Sequence, residues 1–251
     1  MILHVEELSF AYRSKEVITN IDFSINAGEI IALLGRNGAG KSTLLKSINR
    51  LLRPQKGRVL IEGSDTRSMT PAQVARKIGW VPQHTEASKL TVFDFVLLGR
   101  KPHFTWGPRK EDITTVEEVL SRVGIEDLAL RSCDQLSGGE FQQVQIARAL
   151  AQEPAVILFD EPTSSLDLSN QYHLMKMVRS IASDGRTAAV MALHDINLAL
   201  RFADRFLLLK DGKLFAAGGR EVITEVAIKA VYGIEATIIE VAGSPTIVPK
   251  S

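Results

Sequence analysis

The sequence predicts an α/β fold, and three observations predict it. Three unbroken apolar runs, Ile30 to Leu34, Ala155 to Phe159 and Ala188 to Leu193, read as strands buried in a parallel sheet. Segments with apolar residues at helical spacing lie between them, as in Leu168 to Ser183. Each run then delivers chemistry-bearing residues at its end: a glycine-rich loop after the first, Asp160 and Glu161 after the second, His194 after the third. Open α/β sheets gather their ligands at that end of the strands.

In chain order, Ile2 to Phe10 and Val17 to Ile25 alternate loosely around the polar stretch Arg13 to Glu16, and read as an opening antiparallel unit. The strand Ile30 to Leu34 leads into Gly35-Arg36-Asn37-Gly38-Ala39-Gly40-Lys41-Ser42-Thr43, which fits the phosphate-binding pattern G-x-x-x-x-G-K-[ST] at every fixed position. Its glycines let backbone N–H groups approach phosphate oxygens where a Cβ would obstruct. Lys41 reaches the β- and γ-phosphates, and the Ser42 hydroxyl is offered to Mg²⁺. Leu44, Leu45 and Ile48 recur at helical spacing, so Ser42 to Asn49 is a helix whose N-terminus lies under the phosphates.

Pro54 to Gly57 is a turn, Arg58 to Ile61 a short strand, and Thr70-Pro71 opens a short helix. Ile78 to Val81 is a strand ending at Pro82-Gln83. From about 84 to 153 the pattern turns helical, with Ile113, Val116, Val119, Leu120 and Val123 on one face of Glu111 to Val123 and Gly124 as its stop. Ser137-Gly138-Gly139-Glu140 is a capping box, but that needs no paired glycines, which weaken a helix by roughly 1 kcal/mol each. Something large approaching the backbone, such as a phosphate, explains them better. Asp160 suits a Mg²⁺ role and Glu161 suits activating a water. Asp211-Gly212 between Phe206 to Lys210 and Lys213 to Ala217 is a strong hairpin signal, and the tail gives one helix and one Ile/Val-rich strand.

Composition bounds the partners. An apolar fraction of 45% over 251 residues supports a sizeable core, and a net charge of +1 gives no global field toward nucleic acid or an anionic membrane. With Cys133 alone, no intrachain disulfide forms and a reducing compartment is expected. No run approaches the 18 apolar residues of a bilayer span, and His4, Glu6 and Glu7 interrupt any signal peptide, so a membrane role is expected through a partner.

Together these pieces resemble the nucleotide-binding subunits of ABC transporters over essentially the whole chain. Gly35 to Thr43 matches the family's Walker A motif, Gln83 its Q-loop, Leu136 to Glu140 its LSGGE signature and Val156 to Asp160 its Walker B motif. Glu161 matches the catalytic glutamate, Ser165 to Asp167 the D-loop, and His194 the switch histidine; Tyr12 falls where the family places its adenine-stacking aromatic. Gln143 departs from an arginine the family often has there. The resemblance implies one ABC ATPase domain with a RecA-like core (about 1–83 and 154–218), a helical lobe (84–153) and a tail (219–251). It implies ATP and Mg²⁺ as ligands, with Gly35, Arg36, Asn37, Gly38, Ala39, Gly40, Lys41, Ser42, Thr43 and Tyr12 binding the nucleotide. Ser42, Gln83 and Asp160 hold the metal, and Glu161, His194, Lys41 and Gln83 serve catalysis.

It further implies a homodimer, with Ser137, Gly138, Gly139 and Asp167 of one copy facing the nucleotide of the other. A membrane permease and, indirectly, a substrate-binding protein are the other implied partners, with no nucleic acid, at the cytoplasmic face of the membrane. Within the family the chain looks most like ATPases of iron-siderophore, haem and cobalamin importers, on Leu98 to His103, Ala149 to Pro154, His194 to Ala199 and Ala203 to Arg205. The rivals are an ABC ATPase acting on DNA or ribosomes, which usually carries a coiled-coil insertion or second cassette, and a P-loop kinase, which leaves the signature unexplained. The apolar cluster Leu90, Val92, Phe93, Phe95 and Val96 is expected to form a groove for a permease helix.

Overall fold

Alternating apolar residues build the first sheet of this computed structural model, which describes residues 1–13, 15–241 and 243–250. Strands β1 (Leu3–Tyr12) and β2 (Lys15–Ile25) pair antiparallel, and β4 (Lys56–Ile61) and β5 (Ser64–Asp65) extend them in the order β2-β1-β4-β5. Between Val5 and Leu8 the alternation slips by one residue. A register shift there, with Glu7 at φ 45°, returns Leu8 to the buried face. Within the expected polar stretch Arg13 to Glu16, Ser14 lies outside the described residues.

The second sheet positions the site. Its order is β10-β9-β3-β8-β7-β6, from β3 (Ile30–Leu34), β6 (Ile78–Val81), β7 (Val156–Asp160), β8 (Ala188–Ala192), β9 (Arg205–Lys210) and β10 (Lys213–Gly218). The five strands β9, β3, β8, β7 and β6 run parallel, and β10 returns antiparallel through Asp211 and Gly212, both at positive φ as a two-residue hairpin requires. Every residue of β3, β7 and β8 is buried, which is why these runs do not alternate.

Helices flank the sheet: α1 (Lys41–Ile48), α2 (Pro71–Lys77, capped by Thr70), α6 (Leu168–Ser183), α7 (Ile196–Phe202) and α8 (Glu225–Tyr232). Three more, α3 (Val92–Leu97), α4 (Lys110–Val123) and α5 (Gly138–Leu150), pack on one another as a lobe between β6 and β7, with a 3₁₀ turn at Leu98–His103. On α4 the expected apolar face holds for Val116, Val119, Leu120 and Val123, whereas Ile113 is exposed, lying one turn beyond the packed stripe. The tail differs from expectation. Instead of one strand it forms a hairpin, β11 (Ala236–Val241) with β12 (Ser244–Pro249), because Gly243 at φ 74° allows the return that the sequence marks only weakly. No helix among the described residues is long and apolar enough to cross a membrane.

Candidate active site

The loop after β3 is shaped by contacts only glycine permits. Gly35 sits at φ 153°, and a Cβ there would lie 2.4 Å from the Leu209 carbonyl oxygen. Gly38, at φ 81°, is exposed and faces open space: a Cβ would meet nothing within 4 Å. Lys41 points back into the loop: its Nζ, almost fully buried, donates to the Gly35 carbonyl at 2.9 Å and the Arg36 carbonyl at 3.4 Å, and lies 3.7 Å from Glu161 Oε1. Burial depresses its pKa, and the carboxylates of Glu161 and Asp160 only partly oppose that.

Parallel pairing brings the other groups to the loop. With Val81 opposite Phe159 and Asp160 opposite Ala192, the chain leaves β6, β7 and β8 at one level, so Gln83, Glu161 and His194 converge despite their separation in sequence. Gln83 Nε2 donates to Glu161 Oε2 at 2.6 Å, and His194 Nε2 lies 2.7 Å from the same oxygen. Ser42 Oγ donates to Asp160 Oδ1 at 2.6 Å. Burial pushes the Asp160 carboxyl above its ordinary range, against the Ser42 hydrogen bond. Glu161 holds φ 53°, a left-handed conformation that costs a non-glycine residue about 1–3 kcal/mol and recurs at functional sites.

The remaining expected residues stand apart from this cluster. Tyr12 is half exposed, its ring 4.7 Å from Phe10 in an edge contact. Ser137 caps α5 in a reciprocal box with Glu140. Gly138 faces open space, but Gly139 does not: a Cβ there would lie 3.2 Å from the Asn170 side chain. One of the paired glycines therefore has a reason within the chain. Asn170 in turn binds Asp167, which caps α6. Tyr12, Ser137, Gly138, Gly139 and Asp167 share no hydrogen bond or ion pair with the phosphate loop among the described residues. Arg36 and Asn37 are exposed on the loop, and Ala39 is buried behind it.

Two features escaped the sequence. Tyr232, from the end of α8, buries its hydroxyl beside the Gly35 backbone at a geometry short of a well-formed hydrogen bond, and burial pushes its pKa up to about 12. No local pattern signals a contact between residues so far apart. Of the residues expected to line a groove at Leu90 to Val96, Val92, Phe95 and Val96 are buried inside the lobe, with Phe95 packed 5.6 Å from Phe141 of α5 and under the Arg148 guanidinium, while Leu90 is exposed and Phe93 partly buried. An apolar run shows that residues are buried, not what they are buried against. A cleft of about 300 Å³ opens instead beside β6, lined by Leu51, Pro71, Val74, Trp80 and Gln152.

A glycine-rich phosphate loop with a buried lysine, facing a carboxylate pair at the end of a neighbouring parallel strand, defines a P-loop nucleotide-hydrolysing protein. The chain belongs to the ABC transporter family, whose pattern matches residues 18–164, and it is an ABC ATPase. It is 50% identical to an ABC transporter ATP-binding protein of Methanocaldococcus jannaschii, over 99% of this chain and 98% of that one. It is 39% identical to the ferric enterobactin transport ATP-binding protein FepC of Escherichia coli, over 98% and 93%. Among solved structures, an ABC transporter of metal-chelate type in an inward-facing conformation superposes with TM-score 0.87 at 31% identity, covering 100% of this chain and 97% of that one.

Proposed function

We propose that this chain hydrolyses ATP as the energising subunit of an importer for a metal chelate, an iron-siderophore complex, haem or cobalamin. It would act as a homodimer on the cytoplasmic face of the membrane, under a separate permease supplied by a substrate-binding protein. The observation that carries the catalytic half is Glu161, gripped by Gln83 and His194 next to Lys41 and the Ser42–Asp160 pair. The chelate half rests on the relatives named for ferric enterobactin and cobalamin transport.

The residues fit ATP with Mg²⁺. The unobstructed backbone at Gly38 can approach phosphate oxygens, and Lys41 has only loop carbonyls and Glu161 to leave when it moves to the β- and γ-phosphates. Ser42, Asp160 and Gln83 would hold Mg²⁺, which neutralises charge on the phosphate oxygens. Glu161 orients and deprotonates the attacking water, and His194 holds that carboxylate and stabilises charge on the γ-phosphate. Tyr12 stacks on the base. Ser137, Gly138, Gly139 and Asp167 act on the nucleotide of the second copy, which accounts for their distance from this chain's own loop.

Permease contact belongs to the cleft beside β6. Leu51 is 58% exposed there, and Trp80 lies on the strand that runs directly to Gln83, so a helix seated in the cleft bears on a partner of Glu161. His103 lies 3.1 Å from the Gln152 carbonyl on its rim, and the loop that follows carries the fully exposed Trp106. The test is uptake of labelled iron-siderophore, haem or cobalamin by proteoliposomes holding permease, binding protein and this subunit. Uptake of one of them, lost in Leu51→Asp while basal ATPase persists, is expected. Movement of a different cargo class alone would overturn the chelate reading and leave the ATPase intact.

A further inference from the structure

The hairpin β11–β12 pairs with no other strand of the molecule among the described residues. A two-stranded hairpin is marginal by itself, so tertiary contacts must hold it, and they are specific. Asn197, on α7, binds both backbone groups of Ile247 on β12: its Oδ1 accepts from the Ile247 N–H at 2.7 Å and its Nδ2 donates to the Ile247 carbonyl at 3.2 Å. Two bonds from one planar amide fix rotation as well as distance. Ile247 is itself buried in the main core, and the hairpin is tied back to α8 by Lys229 to Glu235 at 2.7 Å and the Ile238 N–H to Glu225 at 3.3 Å.

Helix α7 is only seven residues long and starts two residues after His194. The His194 side chain is 42% exposed, so its ring is held by its contact with Glu161 and by the backbone that α7 sets, not by enclosure. Asp195 caps α7 by accepting from the Leu198 N–H at 3.0 Å, which makes the residue after His194 part of the helix end. The same tail reaches the phosphate loop, where α8 sets Tyr232 beside Gly35.

We propose that Asn197 is a positioning residue for His194, with β12 as its anchor, so that the C-terminal hairpin holds the switch histidine at hydrogen-bonding range of Glu161. This rests on the role assigned above to His194. A displacement of the imidazole of about 1 Å costs on the order of 10²-fold in rate when geometry is what catalysis requires. Substrate binding is not expected to change, because the Asn197 side chain bonds to Ile247 and shares no hydrogen bond with the phosphate loop among the described residues.

The test is a double-mutant cycle on the full chain, with Asn197→Ala, His194→Ala and the pair, read by single-turnover ATP hydrolysis and by fluorescent-nucleotide titration. Asn197→Ala is expected to lower turnover about 10- to 100-fold with nucleotide affinity unchanged, and to lose nothing further in the His194→Ala background. Asn197→Asp keeps the acceptor and loses the donor, so it should retain more turnover than alanine. Hydrogen exchange should quicken at residues 194–199 in Asn197→Ala and stay unchanged at 205–210. A parental turnover in Asn197→Ala, a loss that multiplies with that of His194→Ala, or a fall in affinity parallel to turnover would each overturn the proposal. If His194→Ala itself turns over normally, the site assignment fails and this proposal falls with it. If only Asn197→Ala is silent, the site assignment stands and the anchor alone is wrong.

Discussion

Two buried charged clusters in this chain are built on opposite principles. In the helical lobe, Arg100 donates from Nε to Asp112 at 2.9 Å and from Nη1 to the Ala151 carbonyl at 2.8 Å and Glu153 at 2.6 Å. Asp112 also accepts from the Arg109 N–H at 2.9 Å. Burial opposes ionisation of Asp112, but the Arg109 backbone and the Arg100 guanidinium outweigh it and hold its carboxyl below the usual range. At the phosphate loop burial prevails instead, depressing Lys41 and raising Asp160, and Glu161 sits on a left-handed backbone. The lobe cluster is complete without a ligand. In the loop cluster the partners do not offset burial, which is the condition expected where substrate supplies the missing charge.

The largest effect that tests this contrast is on turnover. Glu161→Gln keeps the shape and the bond from Gln83 but cannot take a proton from water, so hydrolysis should fall by about 10³-fold while ATP binding survives. ATP-bound dimer should then accumulate on gel filtration with Mg²⁺. A monomer that hydrolyses at the parental rate would show that Glu161 is not the base.

Next in size is the divergence between the two cations. Arg100→Ala strands a buried Asp112 and should cost about 3–5 kcal/mol in urea unfolding. Lys41→Ala removes a buried ammonium whose partners are mainly carbonyls, and should leave unfolding within about 1 kcal/mol of the parent while nucleotide affinity collapses. If both variants lose stability equally, the clusters are alike and the comparison is wrong.

The loop cluster was legible in the sequence because its parts are contiguous. Gly35 to Thr43, Asp160-Glu161 and His194 each follow an apolar run, and strands that run in parallel bring their ends together. The lobe cluster was not, since Arg100 meets Asp112 and Glu153 only through the packing of α4 and α5. Gly99 shows the same limit: a Cβ there would lie 2.2 Å from the Arg148 carbonyl, so Leu98 to His103, read as a family mark, is a close backbone crossing. The seat of the tail on α7 was not legible for a related reason, since Asn197 and Ile247 lie 50 residues apart.

The smallest effect concerns Asp160, and its sign separates the two clusters. A carboxyl whose folded pKa is raised above its unfolded value stabilises the fold only while protonated, and that contribution is lost as pH rises through the folded pKa. At neutral pH the ionised Asp160 therefore weighs against folding. Asp160→Asn keeps an oxygen to accept from Ser42 at the place where the present bond is 2.6 Å, and removes the buried charge. The nucleotide-free variant should melt about 2 °C higher at pH 7, the shift that roughly 1 kcal/mol produces in a chain of this size. As pH falls through the raised pKa of Asp160, the parent protonates and the difference should shrink to nothing. Asp112→Asn in the lobe should behave in reverse, lowering the melting temperature at pH 7 because the ionised form is the stabilised one, with the loss fading as pH falls through its depressed pKa. Calorimetry of both variants across the acid range decides it, and a lower melting temperature for Asp160→Asn at pH 7 would mean that the loop cluster, too, is complete without its ligand.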